Sequence, residues 1–240
     1  MSTNPTVKVD IWSDVFCPYC FIGKRRLFRV AQEHGYDLEV VWHSFELNPS
    51  APTADTEGLV TLISKKYGLS QEKSIQAQQN LAATAATEGI DFQWQKARPS
   101  NSFDAHRLIQ FASTKNLANE AEEQLFKAYM TEGKLISDKN VLIEIATTIG
   151  LDATEVSQML DSDQFESIVR QDELIARHLQ ISGVPFFIFN DRLSVSGAQP
   201  DSVFKNALWQ ASTEYPLQTT PAAVKGQNGD LTCTDESCAI

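Results

Sequence analysis

One feature constrains this chain more than any other: a short strand that runs into a Cys-x-x-Cys and then into a helix. Val7 to Trp12 reads Val-Lys-Val-Asp-Ile-Trp, apolar and polar in turn and rich in β-branched residues, which predicts a strand. Cys17-Pro18-Tyr19-Cys20 follows, and Phe21 to His34 predicts a helix with Leu27, Phe28 and Ala31 toward the core and Gly35 as its stop. Cys17 then falls at the helix N-cap, where unpaired N–H groups and the positive end of the dipole favour a thiolate. The thiolate is the form that attacks a disulfide. Pro18 at the first helical position gives up no hydrogen bond. Cys20 lies one turn on, within reach of a mixed disulfide formed on Cys17. The reading is an exposed nucleophile, Cys17, and a resolving thiol, Cys20. The dipeptide between them holds no histidine, so a cationic imidazole in that loop is not available to stabilise the thiolate.

Two other readings of the pair stay open at this point: half of a zinc site, or inert thiols. A zinc finger brings its second ligand pair within tens of residues, whereas the remaining cysteines, Cys233 and Cys238, lie at the far end of the chain. The placement at a helix start, with Pro18, favours redox chemistry, and no metal site is expected. Four cysteines, clustered at the two ends, are too few for a disulfide-stapled secreted scaffold.

Composition narrows the partners. With 20 Lys plus Arg against 31 Asp plus Glu the formal charge is -11, which argues against nucleic acid and anionic membrane surfaces. No apolar run approaches the roughly 18 to 20 residues of a membrane span. Met1 to Asp10 has one Lys and no apolar h-region, so a cytoplasmic location is expected. Hydrophobic residues make up 42% of the 240, enough for a sizeable core in one or two domains.

After a second strand, Leu38 to Phe45, the pattern turns helical. The expected helices are Gly58 to Tyr67, Gln71 to Glu88, Phe103 to Lys115, Asn119 to Met130 and Lys139 to Ile149. Asp152-Ala-Thr-Glu155 has the form of a capping box opening a short helix to Leu160. Asp163-Gln-Phe-Glu166 repeats that form and predicts a long helix to Leu179 with a core face of Phe165, Ile168, Ile175 and Leu179. Strands return at Val184 to Phe189 and Leu193 to Ser196, joined by Asn190-Asp191, and a last helix runs from Asp201 to Ala211 with Pro200 at its first position. The α/β unit is thus split by an inserted helical block. Residues 1–50 and 163–212 form one part, 51–162 the insertion, and 213–240 a loosely packed tail.

Gly183-Val184-Pro185 precedes a strand. An ordinary trans turn is the plain reading, because X-Pro bonds in folded proteins are cis only about 5–6% of the time. A cis bond would set the Val184 backbone beside the active thiol as an edge for an extended substrate.

Four segments together resemble a known family. They are Asp14-Val-Phe-Cys-Pro-Tyr-Cys20, Ser44-Phe-Glu-Leu-Asn-Pro49, Asn101-Ser-Phe-Asp-Ala-His-Arg-Leu108 and Ser182-Gly-Val-Pro-Phe-Phe187. They are similar to the DsbA-like thiol–disulfide oxidoreductases of the FrnE group, over residues 6 to 212. The resemblance implies an α/β thioredoxin fold split by an inserted α-helical domain, with Cys17 and Cys20 as the active pair and Pro185 as the family's cis-proline. Val184 would then tune substrate contact, and Pro18 and Tyr19 would position and tune the motif. The Pro-Tyr dipeptide resembles that of glutaredoxins, which implies a potential nearer about -200 to -230 mV than the about -120 mV of the periplasmic oxidant. Hydroxychromene-carboxylate isomerases and kappa-class glutathione transferases belong to the same superfamily. They typically carry Ser where this chain has Cys17, so dithiol exchange is favoured over a glutathione-dependent isomerase or transferase. Protein or small-molecule disulfides are the expected substrates. No bound cofactor is expected, and glutathione is a candidate electron donor. The candidate of another class is a cysteine-based metal-binding or chaperone-like protein.

Cys233 and Cys238 enclose a short loop that closes readily, and one reading is a surface disulfide or two free thiols. Some FrnE-group members resemble this chain in carrying a C-terminal Cys-x4-Cys. The second reading is therefore a redox pair that exchanges with Cys17 and Cys20. A flexible tail reaches about 5–6 Å times the square root of its length, enough to span a domain. Of the histidines, His43 and His178 are expected to be packing or surface residues, and His106 to bond the helical block to the core. Glu46 is expected in a salt bridge, with proton relay to Cys20 as the alternative. Lys24, Arg25, Arg26 and Arg29 read as a solvated helix face.

Overall fold

In this computed structural model, which describes residues 4–54 and 57–217, four strands form one sheet in the order β2-β1-β3-β4. Strands β1 (Thr6–Ser13) and β2 (Asp37–Ser44) run parallel, with Val9 opposite Val40. A parallel pair needs a crossover, supplied by helix α1 (Pro18–Glu33). Strands β3 (Phe186–Phe189) and β4 (Leu193–Ser196) form a hairpin, and β3 lies antiparallel to β1, with Trp12 opposite Phe186. Asn190 and Asp191 take the turn at φ 46° and 58°, the left-handed conformation that matches strand twist and that these two side chains tolerate.

Among the described residues seven helices stand between β2 and β3, and the first six are α2 (Gly58–Tyr67), α3 (Gln71–Ala86), α4 (Phe103–Ser113), α5 (Ala118–Met130), α6 (Lys139–Thr148) and α7 (Ala153–Leu160). Their bounds follow the expected spans closely. Asp152 caps α7 by accepting from the amides of Thr154 and Glu155, as its capping-box form predicts. Helices α8 (Glu166–His178) and α9 (Asp201–Thr213) complete the chain's helices among the described residues. Pro200 is the N-cap of α9 rather than its first helical residue.

The two faces of β1 are covered differently. Val7, Val9 and Ile11 belong to the large buried cluster that also holds Phe187, Phe204 and, from the helical block, Phe126, Leu142 and Met159. The stacked rings of Phe21 and Phe126, 4.8 Å apart, join α1 to α5 within it. Trp12 on the other face packs with Ala176 and Ile181 in a smaller cluster.

Helix α8 departs from its expected form. Its N-cap is Phe165, in the left-handed region at φ 66°, not Asp163. Its buried face is Val169, Asp172 and Ala176. Ile168 is 41% and Leu179 48% exposed, and Ile175 also faces outward. The cause is polar: the Asp172 carboxylate accepts from the Ser44 amide at 2.8 Å and from His43 Nδ1 at 2.7 Å. That anchors a charged residue inward and turns the isoleucine stripe out.

Candidate active site

The Cys17 loop is held by one buried side chain. Asp14, just past the end of β1, accepts from the Phe16 amide at 3.1 Å and from the Leu47 amide at 2.7 Å, while its carbonyl accepts from the Cys17 amide at 2.9 Å. This ties the turn into α1 to the segment after β2. Cys17 is the N-cap of α1, Pro18 follows at the first helical position, and no side chain caps the helix end. The positive end of the helix dipole therefore falls at Cys17. Tyr19 is 51% exposed at the surface of the motif.

The Val184–Pro185 peptide is cis. The Cys17 thiol donates to the Val184 carbonyl at 3.5 Å, so loop and helix meet across a separation of most of the chain. Gly23 makes this approach possible. A Cβ there would come within 3.1 Å of Pro185 Cγ and 3.0 Å of Phe187 Cζ. The sequence holds a signal for this in a glycine set inside an otherwise strong helix, but its partner is visible only in the fold.

Cys17 is not the exposed thiol the motif predicts: only 6% of the residue is accessible. Its side chain packs in the large core cluster and against the Val184 carbonyl. A cleft of about 410 Å³ opens at Cys17 and Tyr19 and is lined by Leu47, Leu62, Tyr67 and Tyr129. Helix α2, which buries none of its own residues, packs on α3 and borders this cleft. A larger hollow of about 800 Å³ lies between α1 and the start of β2 and includes none of the cysteines.

Cys20 is buried behind Cys17. Burial first, then the hydrogen bond and charge of Cys17, push its thiol well above the ordinary range, opposed in part by the Asp14 backbone and Ser13. On α5 lies a buried carboxyl that sequence reasoning missed. Glu122, on α5, is 1% exposed. Burial pushes its pKa up to about 8 against the pull of Lys24. No local pattern marks Glu122, since it sits among other charges in Asn119-Glu120-Ala121-Glu122-Glu123.

The basic run on α1 is not a solvated face. Lys24 is 5% exposed and donates to the Asn119 carbonyl at 3.1 Å and to Glu123 at 2.9 Å. Arg25 pairs with Glu123. Arg26 pairs with Glu88 at 2.6 Å and donates to the Ala198 carbonyl at 2.8 Å, and Arg29 joins Glu88 to Asp201. The run is a seam that fastens α1 to α3, α5 and the start of α9.

His43 stacks on Trp12 at 4.2 Å and bonds both Asp10, at 2.9 Å, and Asp172, at 2.7 Å. Burial opposes its charge, but the two carboxylates outweigh burial and hold its pKa up to about 9. His178 is exposed and bonds the Leu174 carbonyl through Nδ1 at 2.8 Å. His106 is fully buried, yet its Nε2 has no hydrogen-bond partner and stands 3.8 Å from Asp14, so the expected bond to the core is not made by that atom. Burial lowers its pKa, which keeps it neutral. Glu46 forms the expected salt bridge, with Arg170 at 2.5 Å. Arg107, beside His106, is buried and donates to the carbonyls of Met159 and Gln164, which joins α4 to the α7–α8 turn. Among the described residues no three His, Cys, Asp or Glu side chains are grouped to hold a metal ion, and no helix is long and apolar enough to cross a membrane. Cys233 and Cys238 lie outside the described residues.

Strand, Cys-loop, helix and cis-proline in this arrangement define a thioredoxin-type site with a helical block beside it. The DSBA-like thioredoxin domain matches residues 8–209, and the chain belongs to that family. The protein YwbO of Bacillus subtilis (strain 168) is 30% identical over 206 residues, which cover 85% of this chain and 96% of YwbO. The structure of the probable DsbA oxidoreductase from Streptomyces coelicolor is 34% identical with a TM-score of 0.81, covering 91% of this chain and 93% of that one. A 2-hydroxychromene-2-carboxylate isomerase shares the fold at 17% identity and a TM-score of 0.68, over 86% of this chain and 97% of that one.

Proposed function

We propose that this protein is a thiol–disulfide oxidoreductase or isomerase of the FrnE-like group, working by dithiol exchange through Cys17 and Cys20. The observation that carries the reading is the Cys17 sulfur at the N-terminus of α1, 3.5 Å from the Val184 carbonyl, with Cys20 buried directly behind it. Cys17 attacks one sulfur of a substrate disulfide, the S–S bond breaks and the first thiolate leaves. Cys20 then attacks the Cys17 sulfur and the second thiolate leaves. The substrate gains two electrons and the enzyme pair becomes a disulfide. Two small thiols of the glutathione class restore the dithiol and become a disulfide themselves. Val184 and Pro185 offer the backbone edge for the substrate chain, and Pro18 and Tyr19 shape the motif. The apolar cleft at Cys17 suits a disulfide flanked by apolar groups, whether in a protein or a small molecule. Cys233 and Cys238 form a second redox pair in the tail, residues 51–162 are the inserted helical domain, and the location is the cytoplasm.

Reduction of a model protein disulfide tests the reading. The expected outcome is loss of at least about 100-fold in Cys17→Ser, loss of turnover with trapped mixed disulfide in Cys20→Ser, and a changed rate or midpoint in Cys233→Ser/Cys238→Ser. Magnitudes of this order are normal for loss of an attacking group. A glutathione-linked isomerase or transferase would tolerate loss of Cys20, so full activity of Cys20→Ser on glutathione adducts would favour that alternative. Stoichiometric zinc bound by the cysteines of the purified protein would favour the metal-binding one.

A further inference from the structure

The cleft at Cys17 is apolar over most of its wall but not over all of it. Its buried side includes Gln78 of α3, Ser100 in the segment before α4, and Ser102, the N-cap of α4. Gln78 and Ser100 are each 5% exposed, and Ser102 is buried with them. Ser100 Oγ has no hydrogen-bond partner, and the Ser102 side chain makes no capping bond to its helix. Buried polar atoms are normally paired, and an N-cap serine normally bonds the first turn. Here two hydroxyls with unused capacity share one wall with a primary amide, a group that both donates and accepts. Exchange at the two sulfurs uses none of the three.

The remainder of the cleft describes what else an occupant must carry. A volume of about 410 Å³ lies within the range of about 300–1,000 Å³ usual for small-molecule sites. Leu59, Leu62, Ile63 and Leu81 suit an apolar body, and the exposed rings of Tyr19 and Tyr67 stand at its edge. The charged residues of the wall leave little for an ionic ligand. Both Asp14 carboxylate oxygens accept backbone amides, Glu57 pairs with Lys65, and Lys66 is exposed. Glutathione, with its carboxylates and ammonium, would have to bury charge against apolar surface, which is costly. An apolar side chain from a protein loop has no polar atom to offer the two hydroxyls and the amide, and would leave them unpaired.

We propose that this cleft binds a small-molecule disulfide with an apolar aryl or alkyl body and a neutral amide or carbonyl, which Gln78, Ser100 and Ser102 recognise by hydrogen bonds. The inference rests on the dithiol reading given above and names the substrate class of that site. Cys17 bonds to one sulfur of the ligand and the other sulfur leaves as a thiolate. Cys20 then displaces the retained half. The ligand gains two electrons and becomes two thiols, and the cysteine pair becomes a disulfide. Thiols of the glutathione class restore the pair as electron donors and are not the occupants of the cleft.

The test uses the pre-reduced full-length protein in a Cys233→Ser/Cys238→Ser background, so that only Cys17 and Cys20 react. Thiol release is followed after rapid mixing with the disulfide of para-mercaptobenzamide, a neutral aryl disulfide with amide ends, with oxidised glutathione, or with insulin. The aryl amide should reach its half-maximal rate at a concentration at least about tenfold below that of the other two. Binding without chemistry is measured by calorimetry with the thioether analogue of the aryl amide, and with diphenyl sulfide, which has the rings but no amides. Gln78→Leu should weaken the amide compound by about tenfold more than the amide-free one, and Ser100→Ala by about threefold more. Ser100→Ala, which removes a single oxygen, serves if Gln78→Leu does not fold. Equal weakening of the two compounds, or no saturable binding of the amide compound, overturns the assignment, and the polar atoms then hold water only. A lower half-maximal concentration for insulin overturns it in favour of protein loops. Amide binding that depends on Gln78, with no thiol release from any disulfide, overturns the dithiol reading instead and supports the cleft's occupant.

Discussion

Two buried polar groups meet β1 within a few residues of each other, and they are built in opposite ways. Around Asp10 each charge faces an opposite one: His43 bridges Asp10 and Asp172, Lys8 lies 3.0 Å from Asp10 Oδ2, which makes no hydrogen bond besides that ion pair, and Asp172 also takes the Ser44 amide and Gln110. Around Ser13 the atoms are left open: Ser13 Oγ, Glu122 Oε2 and His106 Nε2 have no hydrogen-bond partner. Satisfied networks rigidify a fold, whereas an unsatisfied buried group costs stability and is kept where protons or electrons move. The first cluster sets how α8 lies against β2. The second lies against the cysteines.

The largest expected break of this contrast is Asp172→Ala. It leaves His43 Nδ1 and the Ser44 amide without their partner, with Asp10 alone still facing His43, and removal of one member of a buried pair costs about 3–5 kcal/mol. Denaturant titration measures it, and a loss under about 1 kcal/mol would mean the network is not holding α8.

Both clusters lose stability as pH rises, and substitutions at the two separate them by sign. His43 is raised from 6.5 to about 9 in the fold, so its contribution is complete below 6.5, falls between the two values and is gone above 9. The amount is on the order of 3 kcal/mol, and His43→Gln should remove that slope. Glu122 is also raised, from 4.5 to about 8, and the fold again loses stability as pH rises through that window, here because burial penalises its carboxylate. Glu122→Gln should therefore raise the melting temperature near pH 8, the opposite of the His43 variant. Matching signs in the two variants would erase the distinction between the clusters.

Gly23→Ala is the smallest. Helix propensity favours Ala by about 1 kcal/mol, but the new methyl meets two rings, Pro185 and the buried Phe187, that have little room to yield. Overpacking costs about 1–3 kcal/mol, so a net loss of about 1 kcal/mol is expected, with a slower Cys17 reaction in the same thiol assay. A more stable, fully active variant would show that α1 and Pro185 are less closely fitted than their contact implies.

Much of this molecule is legible from local chemistry. The Cys17 N-cap, Pro18 at the helix start, the Asn190-Asp191 turn and the Asp152 cap each depend on residues a few positions apart, and the structure has them where the pattern puts them. Helix bounds from Gly58 to Thr148 follow apolar periodicity for the same reason. Long-range pairing is different. A basic run reads as solvated until Glu88 and Glu123 are packed against it, and a stripe of isoleucines reads as core until Asp172 turns the helix. Cys17 reads as exposed until it packs into the core against Val184. Glu122 carries no signal of its own in a charged segment. Burial and the pKa that follows are properties of a residue together with its neighbours across the fold, and those neighbours are far away along the chain. Local stereochemistry wrote the cysteine motif and its helix into the order of residues. Which carboxyl stands behind that motif, and with which protons, was settled when α5 packed against α1 and β2.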